Sequence, residues 1–224
     1  MDLTTGQPLP PAADKALFPL AIRMAAQLIS VVFHPLFIPV YLSYFLIYIN
    51  PIFPSFSAGD KMILLIRFAV MYTVFPLATV LLAKALGFIQ SIFLRTQRDR
   101  IIPYVACGLY YFWMWYVLRN QLQFPKEVVV LTLAIFLASS GGLLANSYFK
   151  VSMHAISVGV MLTYMVLLGF ILAVPFGFFI AVALLVTGAV CTARLVHSDH
   201  YPIEVYAGLA IGILAQLLAY VFVY

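Results

Sequence analysis

The chain has 224 residues, of which 65% are hydrophobic and 8% are charged, with a formal net charge of +5 and a mean hydropathy of +1.10. Soluble domains carry about 25% charged residues, so this composition excludes a soluble globular protein and predicts an integral membrane protein. The apolar runs are longer than the roughly 10-residue alternating strands of membrane barrels, which leaves an all-α, polytopic transmembrane helical bundle as the predicted fold. The small, scattered positive charge favours anionic headgroups or phosphates over nucleic acid as partners.

Apolar runs and the residues that interrupt them predict the membrane spans, after a flexible polar tail at residues 1–17. In chain order the predicted spans are 18–49, 61–94, 103–119, 128–148, 152–174, 178–193 and 202–224. Pro35 and Pro39 interrupt the first run, and proline kinks a membrane helix without excluding it. Pro103 is predicted in the first turn of its helix, and Ser152 is predicted as an N-cap. The chain is thus expected to form one transmembrane domain, residues 18–224, of about six or seven spans.

Three polar clusters, residues 95–103, 150–154 and 193–208, interrupt the apolar sequence, and each is predicted to lie at the start of a helix. Two spans separate the first cluster from the second, and two more separate the second from the third. Because an even number of spans returns the chain to the same membrane face, the clusters are predicted to converge. Helix N-termini present free backbone N–H groups and a partial positive charge, so the shared face favours an anion.

The third cluster holds the densest group of ionisable side chains in the second half of the chain: Arg194, His197, Asp199, His200 and Glu204. A charged group at membrane depth costs at least a few kcal/mol unless it is paired with an opposite charge or hydrated. We therefore interpret the cluster as a candidate functional site. The spacing predicts that His200 attacks phosphorus while Glu204, one helical turn later, holds its imidazole in the nucleophilic tautomer. His197 and Asp199 are interpreted as supporting or solvated residues.

The other clusters are predicted to complete a phosphate-handling site. His154 is expected to protonate the leaving alkoxide and then to act as base on the attacking water. Guanidinium, ammonium and hydroxyl groups suit phosphate oxygens, and the predicted ligands of this kind are Arg194, Ser152, Arg98, Arg100, Arg95 and Lys150. This chemistry requires no cofactor and no metal, and the sequence contains no carboxylate cluster that would hold a metal.

At these positions the sequence resembles the PAP2 family, the type 2 phosphatidic acid phosphatases related to vanadium haloperoxidases. The family's third motif is Ser-Arg, five residues, His, three residues, Asp, and here it is matched by Ala193-Arg194, His200 and Glu204. The second motif, Pro-Ser-Gly-His, is matched by Val151-Ser152-Met153-His154, which keeps the serine and the histidine.

The first motif of the family is Lys, six residues, Arg-Pro. Arg95 and Pro103 have its outer spacing, but Ile102 stands where the phosphate-binding arginine would be, so Arg98 or Arg100 must replace it. The resemblance implies a helical membrane bundle, a phospho-histidine intermediate on His200 and the release of phosphate from a lipid phosphate or diphosphate.

Two other functions and several details stay open at this level. A phospho-histidine can pass its phosphoryl group to an alcohol, which would make the protein a lipid phosphotransferase, and the altered motifs also suit a catalytically silent relative that binds or moves anionic lipids. For the basic residues 94–102, an anionic-lipid anchor is the alternative interpretation. The compact chain favours a bacterial plasma membrane, while the side of the membrane, the lipid and the oligomeric state are left open. His34, before Pro35, is interpreted as a structural residue at a kink, with a mobile lining role as the alternative.

Overall fold

The computed structural model describes residues 18–50, 52–94, 96–172, 175–196 and 201–224, and over these residues it contains helices and turns without β-strands. The all-helical prediction is confirmed, and the predicted tail, residues 1–17, lies outside the described residues. In chain order the helices are α1 Leu20–Val32, α2 Ile38–Tyr44, α3 Ala58–Ala69, α4 Phe75–Ala85, α5 Gln97–Arg119, α6 Lys126–Asn146, α7 Met153–Ile171, α8 Gly177–Val196 and α9 Pro202–Val223. Two π-helical segments, Phe45–Ile49 and Val70–Val74, extend α2 and join α3 to α4.

Six helical segments of the described chain are long and apolar enough to cross a membrane, namely Ala58–Ala85, which unites α3 and α4, and the helices α5 to α9. Large apolar side chains on these helices face outward: Phe170, Leu185 and Phe222 are 80%, 73% and 79% exposed. Lipid tails are the solvent that such a surface requires. The protein is therefore an integral membrane protein built as a polytopic helical bundle.

The first apolar run is broken rather than continuous. α1 ends at Val32 and α2 begins at Ile38, so neither helix alone has the length of a span. Pro35 lies in the break and Pro39 lies at the start of α2, and proline cannot donate the backbone hydrogen bond that a continuous helix needs. The kink predicted from these prolines is a complete break, which places residues 33–37 between two helices.

The centre of the bundle is formed by α6, α7 and α9, which pack on one another, with α5 against α6 and α8 against α7. The backbones of α7 and α9 touch, because a Cβ atom on Gly208 would lie 2.7 Å from the Ser152 carbonyl oxygen. Small residues permit such close helix contacts in membranes. The contact brings the starts of the two helices together, where the Ser152 N–H donates to the Glu204 carbonyl at 3.1 Å.

The start of α5 differs from the prediction. Pro103 was expected in the first helical turn and that placement is wrong, because α5 begins at Gln97 and Pro103 lies inside it. Thr96 is the N-cap, and its Oγ accepts a hydrogen bond from the Asp99 N–H at 3.1 Å. A proline within a membrane helix removes one backbone hydrogen bond without ending the helix. Arg98 and Arg100 consequently lie in the first turn of α5 rather than in a loop.

We expect Thr96→Ala to lower the free energy of unfolding by about 1 kcal/mol, because it leaves the first N–H groups of α5 without their side-chain acceptor. The measurement is the midpoint of unfolding in a titration of the detergent-solubilised protein with dodecyl sulfate. Thr192 is an exposed threonine inside α8, so Thr192→Ala is the matched control and should leave the midpoint unchanged or slightly raised. Equal midpoints for the two variants would contradict the capping role.

Candidate functional site

A cavity of about 560 Å³ lies between α1, α2 and the helices α4 to α8. Four residues of the predicted site line it, Arg100, Lys150, His154 and Arg194, and these come from all three sequence clusters. The clusters therefore meet, as the even number of intervening spans predicts. Among the described lining residues there are three cationic side chains and no carboxylate, so the cavity is electrostatically suited to an anion.

The remaining predicted residues are placed differently. Ser152 is fully buried and Glu204 is 7% exposed, and neither side chain lines the cavity. Arg98 is exposed and points elsewhere, since it is also absent from the described lining. Arg95 and His200 lie outside the described residues, as do His197 and Asp199. Of the two arginines offered as replacements for the first-motif ligand, Arg100 is thus the one at the cavity.

Arg100 connects the first cluster to the second. Its side chain is 4% exposed, its Nε donates to the Leu94 carbonyl at 2.9 Å, and its Nη1 donates to the Val151 carbonyl at 2.7 Å. Arg100 therefore joins the loop before α5 to the segment that precedes α7, and it also lines the cavity.

Ser30, near the end of α1, connects the second cluster to the third. The Nη1 of Arg194 donates to the Ser30 hydroxyl at 3.3 Å, and the Nε2 of His154 lies 3.0 Å from the Ser30 carbonyl oxygen. A carbonyl oxygen can only accept, so Nε2 of His154 carries a hydrogen atom and Nδ1 is the nitrogen that can gain or lose a proton. A single residue outside all three clusters thus contacts both a histidine and an arginine of the predicted site.

His34, in the break between α1 and α2, also lines the cavity. Its ring centroid lies 5.2 Å from that of His154, with the ring planes at 83°, and its Nδ1 accepts a hydrogen bond from the Leu36 N–H at 3.3 Å. Burial, aided by the positive charge of Arg194, lowers the pKa of His34 to about 4. The side chain is therefore neutral at pH 7. The sequence favoured a structural role for His34 at the kink, with a lining role as the alternative, and the structure places the residue in the lining.

Ser152 and Glu204 both act at helix starts. Ser152 is the N-cap of α7, as predicted, and its Oγ accepts from the Ala155 N–H at 3.4 Å. The Glu204 carboxylate accepts from the Tyr201 N–H at 3.2 Å at the start of α9. These bonds satisfy backbone N–H groups at the starts of α7 and α9. The predicted contacts of Ser152 with an anion and of Glu204 with His200 stay predictions.

The residues that the structure describes include no group of three or more histidine, cysteine, aspartate or glutamate side chains placed to hold a metal ion. No protein-family model, curated protein or solved structure matches the chain. The fold and the cavity together define a polytopic helical membrane protein with a buried, cationic, histidine-containing site.

Proposed function

We propose that the protein is an integral-membrane, metal-independent phosphatase that hydrolyses a lipid phosphate or diphosphate monoester through a phospho-histidine intermediate on His200. The observation that carries this proposal is the meeting of Arg100, Lys150, His154 and Arg194 at one cavity. The proposed location is the bacterial plasma membrane, with the PAP2 family as the proposed relatives.

The charge of the cavity supports a phosphate ligand. Arg100 and Arg194 are 4% and 8% exposed, and buried cations are stabilised chiefly by anions and by hydrogen bonds. A phosphate monoester is a dianion with three terminal oxygens, and guanidinium groups are well suited to bind such oxygens through charge-assisted hydrogen bonds. The ammonium group of Lys150 adds a third positive charge to the lining.

The rest of the cavity supports a lipid substrate. Apolar side chains dominate the lining away from the cationic groups and include Leu42, Val80, Ile135 and Val160. Ligand pockets commonly measure about 300–1,000 Å³ and combine apolar walls with a few polar groups. A cavity of about 560 Å³ with both kinds of wall matches a molecule that has an anionic head and a hydrocarbon tail.

The proposed reaction has two steps. In the first, an imidazole nitrogen of His200 forms a bond to phosphorus, the bond from phosphorus to the lipid oxygen breaks, and His154 gives the proton on Nδ1 to that oxygen. In the second, a water oxygen bonds to phosphorus, His154 takes back a proton from the water, and the phosphorus–nitrogen bond breaks. The arginines stabilise the charge on the equatorial phosphate oxygens in both transition states.

The test is phosphate release from a panel of lipids in detergent with excess EDTA. The panel contains phosphatidic acid, phosphatidylglycerol phosphate, a polyprenyl diphosphate and a lipid A phosphate. We expect release that persists in EDTA, that is abolished by His200→Ala, and that is largely retained by His197→Ala, the matched histidine control.

Three other outcomes would redirect the proposal. Release that survives His200→Ala would show that another residue is the nucleophile. A phosphorylated alcohol formed when an acceptor is added would identify a phosphotransferase. No release from any lipid by folded protein, together with lipid binding that survives His200→Ala, would identify a silent lipid-binding protein.

A further inference from the structure

We infer that Ser30, near the end of α1, and His34, just after it, form a fourth part of the active site, in which Ser30 orients His154 for proton transfer and His34 is a neutral positioning residue beside it. The inference rests on the proposed phosphatase function and deepens it. Neither residue belongs to the three polar clusters of the sequence.

The contact with Ser30 determines which nitrogen of His154 does chemistry. Ser30 and His154 are 124 positions apart, and the Ser30 carbonyl oxygen lies 3.0 Å from Nε2. To protonate a leaving oxygen from Nδ1, His154 must first be an imidazolium with hydrogen on both nitrogens. The carbonyl accepts the Nε2 hydrogen in that state and in the neutral state that follows transfer. The ring therefore keeps one orientation through both steps, which is how an orienting acceptor assists a general acid.

The geometry at His34 requires a neutral ring. Its Nδ1 accepts the Leu36 N–H at 3.3 Å, and an imidazolium, whose nitrogens both carry hydrogen, has no such acceptor. The ring packs edge-to-face with His154 at a centroid distance of 5.2 Å. A positive charge at position 34 would oppose the imidazolium form of His154, because like charges at this distance disfavour each other.

Other ionisable groups around His154 also influence whether its imidazolium form is favoured. Those that line the same cavity are Arg100, Tyr104, Cys107 and Tyr111 of α5, Lys150 of the loop before α7, and Arg194 of α8. Glu204 of α9 lies at the start of α7, where its carbonyl accepts the Ser152 N–H. Since the lining already carries three cations, a neutral His34 in contact with the ring helps His154 to hold its proton.

A purely structural role for His34 makes a different prediction. Pro35 would break the helix whatever residue preceded it, and an asparagine Oδ1 can accept the Leu36 N–H in place of Nδ1. If His34 only shaped the chain, His34→Asn would therefore preserve both folding and turnover. The experiment separates the two roles by measuring kcat, KM and the pH dependence of kcat/KM.

The experiment uses the full chain in detergent and a lipid phosphate that the wild-type protein hydrolyses. For His34→Asn we expect kcat to fall about 10-fold with little change in KM, because His154 loses the ring that positions it. For His34→Lys we expect the alkaline limb of the kcat/KM profile, which reports loss of the His154 proton, to move down by about one pH unit or more. The control is Val32→Lys, which adds the same charge to an exposed residue at the end of α1 that does not line the cavity, and it should leave the profile unchanged.

Each result decides a separate point. The inference would be overturned if His34→Asn had the same kcat as the wild-type protein. It would also be overturned if folded His34→Lys showed no shift in the alkaline limb of its kcat/KM profile. Either result would leave the proposed function intact. If His34→Lys does not fold, the kcat and KM of His34→Asn decide alone. If the wild-type protein releases no phosphate from any lipid, the proposed function fails, and the inference fails with it.

Discussion

In the proposed phosphatase reaction, Arg194→Gln is expected to lower kcat/KM for the lipid phosphate by on the order of 10³-fold, mostly through kcat. Arg194 is 8% exposed and lines the cavity with His154. In such a buried position a guanidinium would interact strongly with the charge that develops on phosphate in the proposed reaction. Arg194→Lys keeps the charge but loses the planar fork, so we expect it to recover part of the activity. Initial rates over a range of lipid concentrations give both parameters.

The matched control for this prediction is Arg98→Gln. Arg98 was also predicted as a phosphate ligand, but it is exposed and lies outside the described lining of the cavity. We expect Arg98→Gln to change kcat/KM less than about threefold, as for a surface charge. Equal losses for Arg98→Gln and Arg194→Gln would show that the cavity is not where phosphate binds.

Gly212→Ala is expected to destabilise the protein by about 3 kcal/mol and to lower activity with it. A Cβ atom on Gly212 would overlap the Ile156 carbonyl oxygen and lie 2.9 Å from the Val160 backbone nitrogen. These neighbours are backbone atoms of α7, which cannot rotate away as a side chain can. α9 would have to move away from α7, and that movement would strain the bond from the Ser152 N–H to the Glu204 carbonyl.

The measurement for Gly212→Ala is the unfolding midpoint in dodecyl sulfate, followed by tryptophan fluorescence. Gly188→Ala is the control, because a Cβ atom on this α8 glycine would meet no described atom within 4 Å. Alanine favours a helix over glycine by up to about 1 kcal/mol, so this variant should be equally or more stable than the wild-type protein. A midpoint for Gly212→Ala as high as that for Gly188→Ala would refute the backbone contact between α7 and α9.

The two variants probe different requirements of one site. Arg194→Gln removes a charge from the cavity and should leave the bundle folded. Gly212→Ala leaves every polar side chain in place but separates the helices that bring the second and third clusters together. We expect Arg194→Gln to lose kcat/KM but to keep its stability, and Gly212→Ala to lose both. This difference would separate a residue that acts on the substrate from one that holds the helices together.

Much of the fold was determined by local sequence. Long apolar runs must form helices in lipid because every backbone polar group needs an internal partner, so the bundle and its six long helices follow from hydropathy. Ser152 was correctly placed as an N-cap, since its hydroxyl is followed by an apolar helix. Pro103 was misplaced. Thr96 caps α5 by accepting a hydrogen bond from the Asp99 N–H, so the helix begins before Pro103, and membrane helices tolerate an internal proline.

The site was determined by sequence only in part. Motif order, together with an even number of spans, predicted that Arg100, His154 and Arg194 would share one side, and they do line one cavity. The choice of Arg100 over Arg98 depended on which face of α5 turns inward, and the start of that helix was misjudged. The positions of Ser30 and His34 beside His154 were decided only by the tertiary structure. Ser30 contacts residues that are 124 and 164 positions away, and such contacts arise from helix packing, which leaves no periodic or local pattern in the sequence.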